Sequence, residues 1–464
     1  MTTATPSAGR IDRGRLEALL ERERAAYTAA HPRAAALFAG AGHLFGRVPM
    51  TWMAKWSGGF PLYLDRAEGN RVLDVDGHEY VDFALGDTGA MAGHSPKATV
   101  DAVVDRVSRL GGLTTMLPTS EADQVGAELE RRFGLPLWSF TLSATDANRW
   151  ALRIARLATG RSKVLTFAYC YHGSVDEAFA VPGPDGAVVP RAGLVGAPVP
   201  LELTTRVAEF NDLAGVEEQL RHGDVAAILT EPALTNIGIV LPEPGFLDGL
   251  RELATRYGAL LVIDETHTFS AGPGGATAAW DLQPDLFVIG KSIGGGVPCG
   301  AYGLTHEVAA AVAAHPEADL VDVGGVGGTL AGNALSVTAM RATLEHVLTA
   351  EAFDGMTDRA ARFAEGVQGV IDSAGVPWSV SRLGARAEYR FASPAPRTGS
   401  ESAAAADDEL DEFLHLYLAN RGVLITPFHN MALMCPATTD ADVDLHTRLF
   451  GAAVAELTGD GPVR

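Results

Sequence analysis

The chain has 464 residues, 47% of them hydrophobic and 20% charged, enough for a large core divided into two or three domains. A net charge of −21 with no basic patch argues against recognition of a nucleic-acid backbone. Cys170, Cys299 and Cys435 are sparse and form no CxxC pair, so neither a disulfide framework nor a zinc site is expected, and the count fits a reducing cytoplasm.

In chain order, Met1–Arg24 is rich in arginine and glutamate and lacks the apolar run of a signal peptide. No later stretch reaches the roughly 18–20 apolar residues a membrane helix needs, so a cytoplasmic protein is expected. Residues 11–37 read as an amphipathic helix, suited to an arm packed on a partner. Pro61–Asp65 and Arg71–Asp74 read as a hairpin, with Asp76-Gly77 as a tight turn before Tyr80–Phe83. Phe140–Ser143 is a short strand. Ala147, Trp150, Ala151, Ile154 and Ala158 then fall on one helical face that ends at Gly160. Val164–Ala168 and Val225–Thr230 are strands, the second ending at Glu231-Pro232. Phe246, Leu250, Leu253 and Tyr257 mark a helix capped by Gly258. Ala259–Ile263 and Leu286–Ile289 are further apolar strands.

Apolar strands alternating with helices predict a largely parallel sheet covered on both faces. After about residue 345 the pattern changes to helix and short strands, with a polar stretch, Pro394–Asp408, that reads as a mobile surface loop. The expected division is 1–85 as N-terminal arm and part of a small domain, 86–344 as the large domain, and 345–464 as the C-terminal small domain.

Ligands of open parallel sheets bind beyond the carboxyl ends of the strands. Ser143, Glu231, Asp264 and Lys291 stand at or just past four such ends. Only four residues of the chain are lysines (Lys55, Lys97, Lys163 and Lys291), while arginine supplies nearly all its positive charge. Arginine serves most surface purposes but cannot form a Schiff base, so a lysine placed between an apolar strand and Gly294-Gly295-Gly296 is suited to covalent chemistry. An ordinary loop lysine is the alternative. Asp264 closes an apolar strand, where a carboxylate needs a cation or a strong donor; a protonated pyridine nitrogen would serve, and a helix cap or a metal ligand are the other readings. Ser143-Ala144-Thr145 opens a helix and can hold an anion or merely cap it. Tyr171-His172-Gly173 offers an aromatic face for a flat ring, and Gly327-Gly328-Thr329 is a small-residue turn able to reach a phosphate.

Taken as an ordered set, the segments LSATDANRWALRIARLATGRSKVLTF, YHG, EPALTNIG, PGFLDGLRELATRYGALLVIDETHT, PDLFVIGKSIGGGVPCGAYG and GGTLAGNALSV resemble the class III (subgroup II) aminotransferases. Within that family the likeness is to the branch of glutamate-1-semialdehyde aminomutase and β-amino-acid aminotransferase. The resemblance implies an α/β protein of pyridoxal-5′-phosphate (PLP) fold type I, aspartate-aminotransferase-like, with a mostly parallel sheet in the large domain and a small α+β domain from both termini. It implies PLP as cofactor, no metal, and a homodimer acting on a small amine donor and a carbonyl acceptor. Lys291 matches the lysine of the internal aldimine, Asp264 the carboxylate on the ring nitrogen, and Tyr171 the aromatic residue stacked on the ring. Ala144 and Thr145, after Ser143, match the phosphate cup. Thr329 matches the threonine that reaches the neighbouring subunit's phosphate. His172 adjoins the stacking residue, His267 lies near the cofactor's 3′-oxygen, and Glu231 belongs to the family's Glu-Pro motif on the substrate side.

The chain also departs from the family pattern. Its phosphate loop reads Ser143-Ala144-Thr145-Asp146-Ala147 where relatives usually have Ser-Gly-Thr-Glu-Ala. Thr266 replaces an apolar residue beneath the ring, and Ala271 stands where an arginine is common. Trp52 aligns with the arginine that grips a substrate carboxylate, and Phe428 or His429 with the second arginine of the β-amino-acid branch; Arg47 and Lys55 are the nearest compensating cations. This pattern predicts an amine, aminoketone or aminoaldehyde with apolar bulk as substrate. The expected activity is amino-group transfer through Lys291. Rival readings are an aminomutase, a racemase or decarboxylase, and a catalytically idle PLP-fold binding protein.

Overall fold

The computed structural model describes residues 11–195, 199–319 and 322–459, which form two compact units. One comprises 96–353 with 397–404; the other comprises residues up to Ser95, 354–396 and 405 onward.

The larger unit is built on a seven-stranded sheet: β1 (Leu137–Thr141), β2 (Lys163–Phe167), β3 (Thr205–Ala208), β4 (Val225–Thr230), β5 (Leu260–Asp264), β6 (Leu286–Gly290) and β7 (Gly300–Leu304). The spatial order is β1-β7-β6-β5-β4-β2-β3. Six strands run in one direction and β7 runs against them, antiparallel to both β6 and β1. The short, glycine-rich link from Gly290 to Gly300 leaves no room for a crossover helix, so the chain must return antiparallel. Both faces of the sheet are covered, because successive residues of a strand point oppositely. Leu286 and Val288 pack with Trp150 and Ile154 of the helix Ala144–Thr159, whereas the ring of Phe287 meets Phe133 at 4.5 Å between centroids.

Two expectations need correction here. Residues 11–37 are two helices, Arg13–Ala30 and Pro32–Gly40, because Pro32 removes a backbone donor at the joint. Within the chain, Leu16, Leu20 and Tyr27 are buried, and ion pairs link Arg24 to Glu412 and Arg421 to Glu23, tying the first helix to the segment around the helix Asp408–Ala419. Nor is Pro394–Asp408 a surface loop throughout. Gly399–Ala404 is a helix grouped with the larger unit, outside the expected C-terminal domain. Its Ser402 is buried and donates to the Ile237 carbonyl, and Ser400 donates to Glu209. Two of its serines thus bond to the larger unit rather than to solvent.

A methyl group at Gly399 would stand 2.0 Å from the Ala168 carbonyl oxygen. Backbone cannot retreat as a flexible side chain does, so Gly399→Ala is expected to cost about 2–3 kcal/mol and to lower the thermal midpoint. Gly369→Ala, on a helix with open space around it, is the control and should be neutral or slightly stabilising. Equal midpoints for the two variants would mean that the 399–404 helix does not seal the unit as described.

Among the described residues, no helix is long and apolar enough to cross a membrane.

Candidate active site

The common strand direction brings the ends of β1, β4, β5 and β6 to one edge of the sheet. Asp264 is level with Val288 in the parallel β5–β6 pair, so β6 runs on to Gly290 before Lys291. Gly290 pairs with Gly300, and Gly300 with Thr141. Two positions of this row have no room for a side chain. A Cβ at Gly300 would lie 2.5 Å from Thr141 Oγ1, and one at Gly290 would lie 2.9 Å from the Ala144 nitrogen. Lys291 then adopts φ +52, a left-handed conformation that costs a non-glycine residue about 1–3 kcal/mol. Its Nζ lies 2.6 Å from His267 Nε2.

Asp264 is 3% exposed, and each oxygen has a partner. The Thr266 N–H donates to Oδ1 at 3.0 Å, the Asn148 amide donates to Oδ2 at 2.7 Å, and His172 Nδ1 lies 2.9 Å from the same Oδ2. Burial alone would raise this carboxyl, but the hydrogen bond and charge of His172, with Thr266 and Asn148, hold it below its ordinary value. Burial alone would likewise lower the His172 imidazole; Cys170 and Asp264 reverse that and hold it well above its ordinary value. Both directions favour a negative carboxylate on Asp264 with its partner proton on His172.

At the end of β1, Ser143 caps the helix Ala144–Thr159: its Oγ accepts the Asp146 N–H at 3.2 Å and donates to the Asp146 carboxylate at 3.1 Å. The first turn therefore uses the serine hydroxyl for capping and leaves the N–H groups of Ala144 and Thr145 facing outward from the helix start. Thr145 Oγ1 accepts the Ser174 N–H at 3.3 Å. Gly173, at φ +72, lies so close that a Cβ there would stand 2.1 Å from Thr145 Oγ1. The helix start is thus flanked by two glycines, Gly173 and Gly290, whose missing side chains leave a cradle of backbone.

Tyr171 is partly exposed, and its N–H points to Glu231 Oε1 at 3.4 Å. Glu231 itself is buried and accepts from the Thr235 hydroxyl; burial pushes its carboxyl up to about 7. Ser143, Ala144, Thr145, Tyr171, His172, Glu231, Asp264, His267 and Lys291 all belong to this unit. Thr329 lies on an exposed turn of the same unit. Trp52, Phe428 and His429 belong to the other unit. There Trp52 and Phe428 meet edge to face at 6.0 Å, about two-fifths exposed, and His429 is buried with Nδ1 3.5 Å from Glu388 Oε1.

Asn148 escaped the sequence reading. It sits one residue from Ala147 on the buried face of its helix, and a polar residue among Ala147, Ala151 and Ala155 was the available signal. His172 was read as a companion of Tyr171, whereas its contact is with Asp264. The donor set fits PLP: an ionised buried carboxylate suits a protonated ring nitrogen, a helix start between glycines suits a phosphate, and a lysine suits an aldehyde.

Comparisons with known proteins agree. Residues 52–453 match the aminotransferase class-III family. The chain is 34% identical, over 83% of its length and 88% of the relative's, to glutamate-1-semialdehyde 2,1-aminomutase of Desulfitobacterium hafniense. Among solved structures, a glutamate-1-semialdehyde aminomutase from Pseudomonas aeruginosa PAO1 in complex with PMP superposes with a TM-score of 0.94 at 48% identity, covering 96% of this chain and 99% of that one. A β-phenylalanine aminotransferase from Variovorax paradoxus gives 0.82 at 29% identity, covering 94% and 96%. The chain belongs to the class III aminotransferases and is a PLP-dependent enzyme of fold type I.

Proposed function

We propose that the enzyme transfers an amino group between an amine or amino-acid donor and a carbonyl acceptor, with Lys291 as the residue that holds the cofactor and moves the proton. The arrangement of Lys291 past β6, beside a buried and ionised Asp264 at the end of β5, carries this reading. Bound PLP supplies an electron sink conjugated to the substrate's amine. Lys291 Nζ, once released by the incoming amine, takes the proton from the substrate carbon and returns it one position along. His267, 2.6 Å from that Nζ, orients it. Asp264 holds the ring nitrogen in its protonated form, and His172 and Asn148 hold Asp264. The N–H groups of Ala144 and Thr145 and the Thr145 hydroxyl take the phosphate, Tyr171 packs on the ring, and Glu231 lies on the substrate side. Thr329, exposed in one protomer, reaches the phosphate of its partner in a homodimer.

Trp52, Phe428 and His429 are the residues proposed to meet the substrate. The half-exposed Trp52–Phe428 pair supports an amine, aminoketone or aminoaldehyde of apolar bulk over a small dicarboxylate. The second reading, intramolecular transfer, is favoured by the likeness to glutamate-1-semialdehyde aminomutases at 34% and 48% identity.

The visible spectrum of the purified holoenzyme, recorded while amines are added without acceptor, tests the proposal. Loss of the visible band with one equivalent of carbonyl product identifies the donor half-reaction. Turnover of an aminoaldehyde with no separate acceptor favours the aminomutase. Clear preference for glutamate with a 2-oxo acid overturns the apolar-substrate reading, and no visible band after PLP addition overturns the whole.

A further inference from the structure

The smaller unit holds a second cluster that the proposed reaction does not use. His31 lies at the joint of the two N-terminal helices, and Asp74 and His78 flank the hairpin turn that follows the strand Arg71–Asp74. One nitrogen of each histidine and one Asp74 oxygen lie within 4.8 Å of one another, the one such group of three found among the described residues. His31 Nε2 is 3.5 Å from Asp74 Oδ2, and His78 Nδ1 is 3.2 Å from the same oxygen. Zinc bonds to nitrogen and oxygen of about 2.0–2.1 Å require ligand atoms about 3.3–3.4 Å apart at a tetrahedral edge.

Hydrogen bonding around the cluster orients its ligand atoms toward one another. His31 Nδ1 lies 2.7 Å from the Tyr27 carbonyl, which only accepts, so Nδ1 must carry the ring's proton and Nε2 presents a lone pair. Tyr80 has a single hydroxyl hydrogen, yet its oxygen lies 2.8 Å from that Nε2 and 2.9 Å from Asp74 Oδ2. The Tyr80 hydroxyl donates to one of these two acceptors, and His78 Nδ1 is the other polar atom against Asp74 Oδ2. The backbone N–H of His78 fixes the other Asp74 oxygen at 2.8 Å, which leaves Oδ2 facing the histidines. A histidine held through its far nitrogen by a carbonyl, beside an oriented carboxylate, is the outer arrangement that metal ligands require.

We propose that His31, Asp74 and His78 bind a divalent transition-metal ion of the zinc type. The ion takes the lone pairs of His31 Nε2, Asp74 Oδ2 and His78 Nδ1, with a water as fourth ligand, and leaves the Tyr80 hydroxyl to donate to Asp74. His31 and Asp74 are buried, while the His78 side chain is 43% exposed and gives the entry path. The ion would pin the helix joint to the hairpin, so its role is structural and separate from Lys291.

The test uses the metal-stripped full-length holoenzyme, with zinc titrated against a chromophoric chelator. The comparison is with His78→Ala and with His306→Ala, a histidine on a separate helix of the other unit. The proposal expects one equivalent bound by the wild type and by His306→Ala, at least tenfold more weakly by His78→Ala. Cobalt in place of zinc should give tetrahedral visible bands, in a difference spectrum against the holoenzyme, that His78→Ala lacks. Equal affinity in wild type and His78→Ala overturns the site. Absence of binding overturns it too, and would mean that hydrogen bonds from His78 and Tyr80 alone hold Asp74.

Discussion

Replacing Lys291 by alanine is expected to lower turnover by at least about 10⁴-fold, since one change removes both the covalent tether and the proton carrier. Lys291→Arg should be as inactive, because a guanidinium is not deprotonated and cannot take the proton. The loss must be read in a folded protein, and the backbone offers a control. Lys291 sits at φ +52, which glycine adopts without cost and alanine does not. Lys291→Gly should therefore be the more stable of the two truncations by roughly 1 kcal/mol, with both inactive. Turnover above one hundredth of wild type in Lys291→Ala, measured with saturating PLP, would remove Lys291 from the chemistry.

Asp264→Asn keeps the shape of the side chain and removes its charge. Turnover should fall about 10²–10³-fold, the cost typical of losing one preorganised electrostatic partner. A purely structural role would leave the pH dependence of the cofactor's visible band unmoved; the proposal expects it to shift. Asp264→Ala should be worse for folding. It leaves the buried His172 without its carboxylate partner, and breaking a buried ion pair by removing one member costs about 3–5 kcal/mol. The wild-type pair also predicts acid behaviour. Asp264 lies below its ordinary value, so the stability it adds is present above the ordinary carboxylate range and is lost as pH falls through the lowered one. In Asp264→Asn that contribution is gone at every pH.

Some of this architecture was legible because burial on both faces writes an unbroken apolar run. Val225–Thr230 matches β4 residue for residue, β5 is shifted by one residue at each end, and β6 is one residue longer than expected. Where a strand is half exposed, the run is interrupted and the reading shortens. Phe140–Ser143 was expected, but β1 begins at Leu137, whose side chain is exposed at the sheet edge. The strand Leu64–Glu68 is polar and exposed and pairs irregularly, so the expected Pro61–Asp65 missed most of it. The reversed strand β7 was invisible as a strand because Gly300 and Gly303 carry no strand preference. They are glycine because a Cβ would meet Thr141 at one and Trp138 at the other.

The site divides in the same way. Lys291, Asp264 and the Ser143-Ala144-Thr145 turn are each adjacent in sequence to a readable strand end. The partners that set their chemistry are not. Asn148 and His172 reach Asp264 from residues 116 and 92 positions away, and His267 reaches Lys291 from 24. Such contacts follow from tertiary packing, which periodicity does not encode.

The reversed strand also constrains the order in which the molecule can assemble. Thr141, just before the proposed phosphate cradle, finds its sheet partner only in Gly300, more than half of the larger unit's chain away. Loop closure over so long a chain is slow, and pairings of that kind govern folding rate. On a translating ribosome, β2 to β6 can emerge and pair while β1 still lacks its only neighbour in the sheet. The cofactor's anion cradle is then among the last features to form, and a nascent chain ending before Leu304 has the lysine but no completed grip for the phosphate.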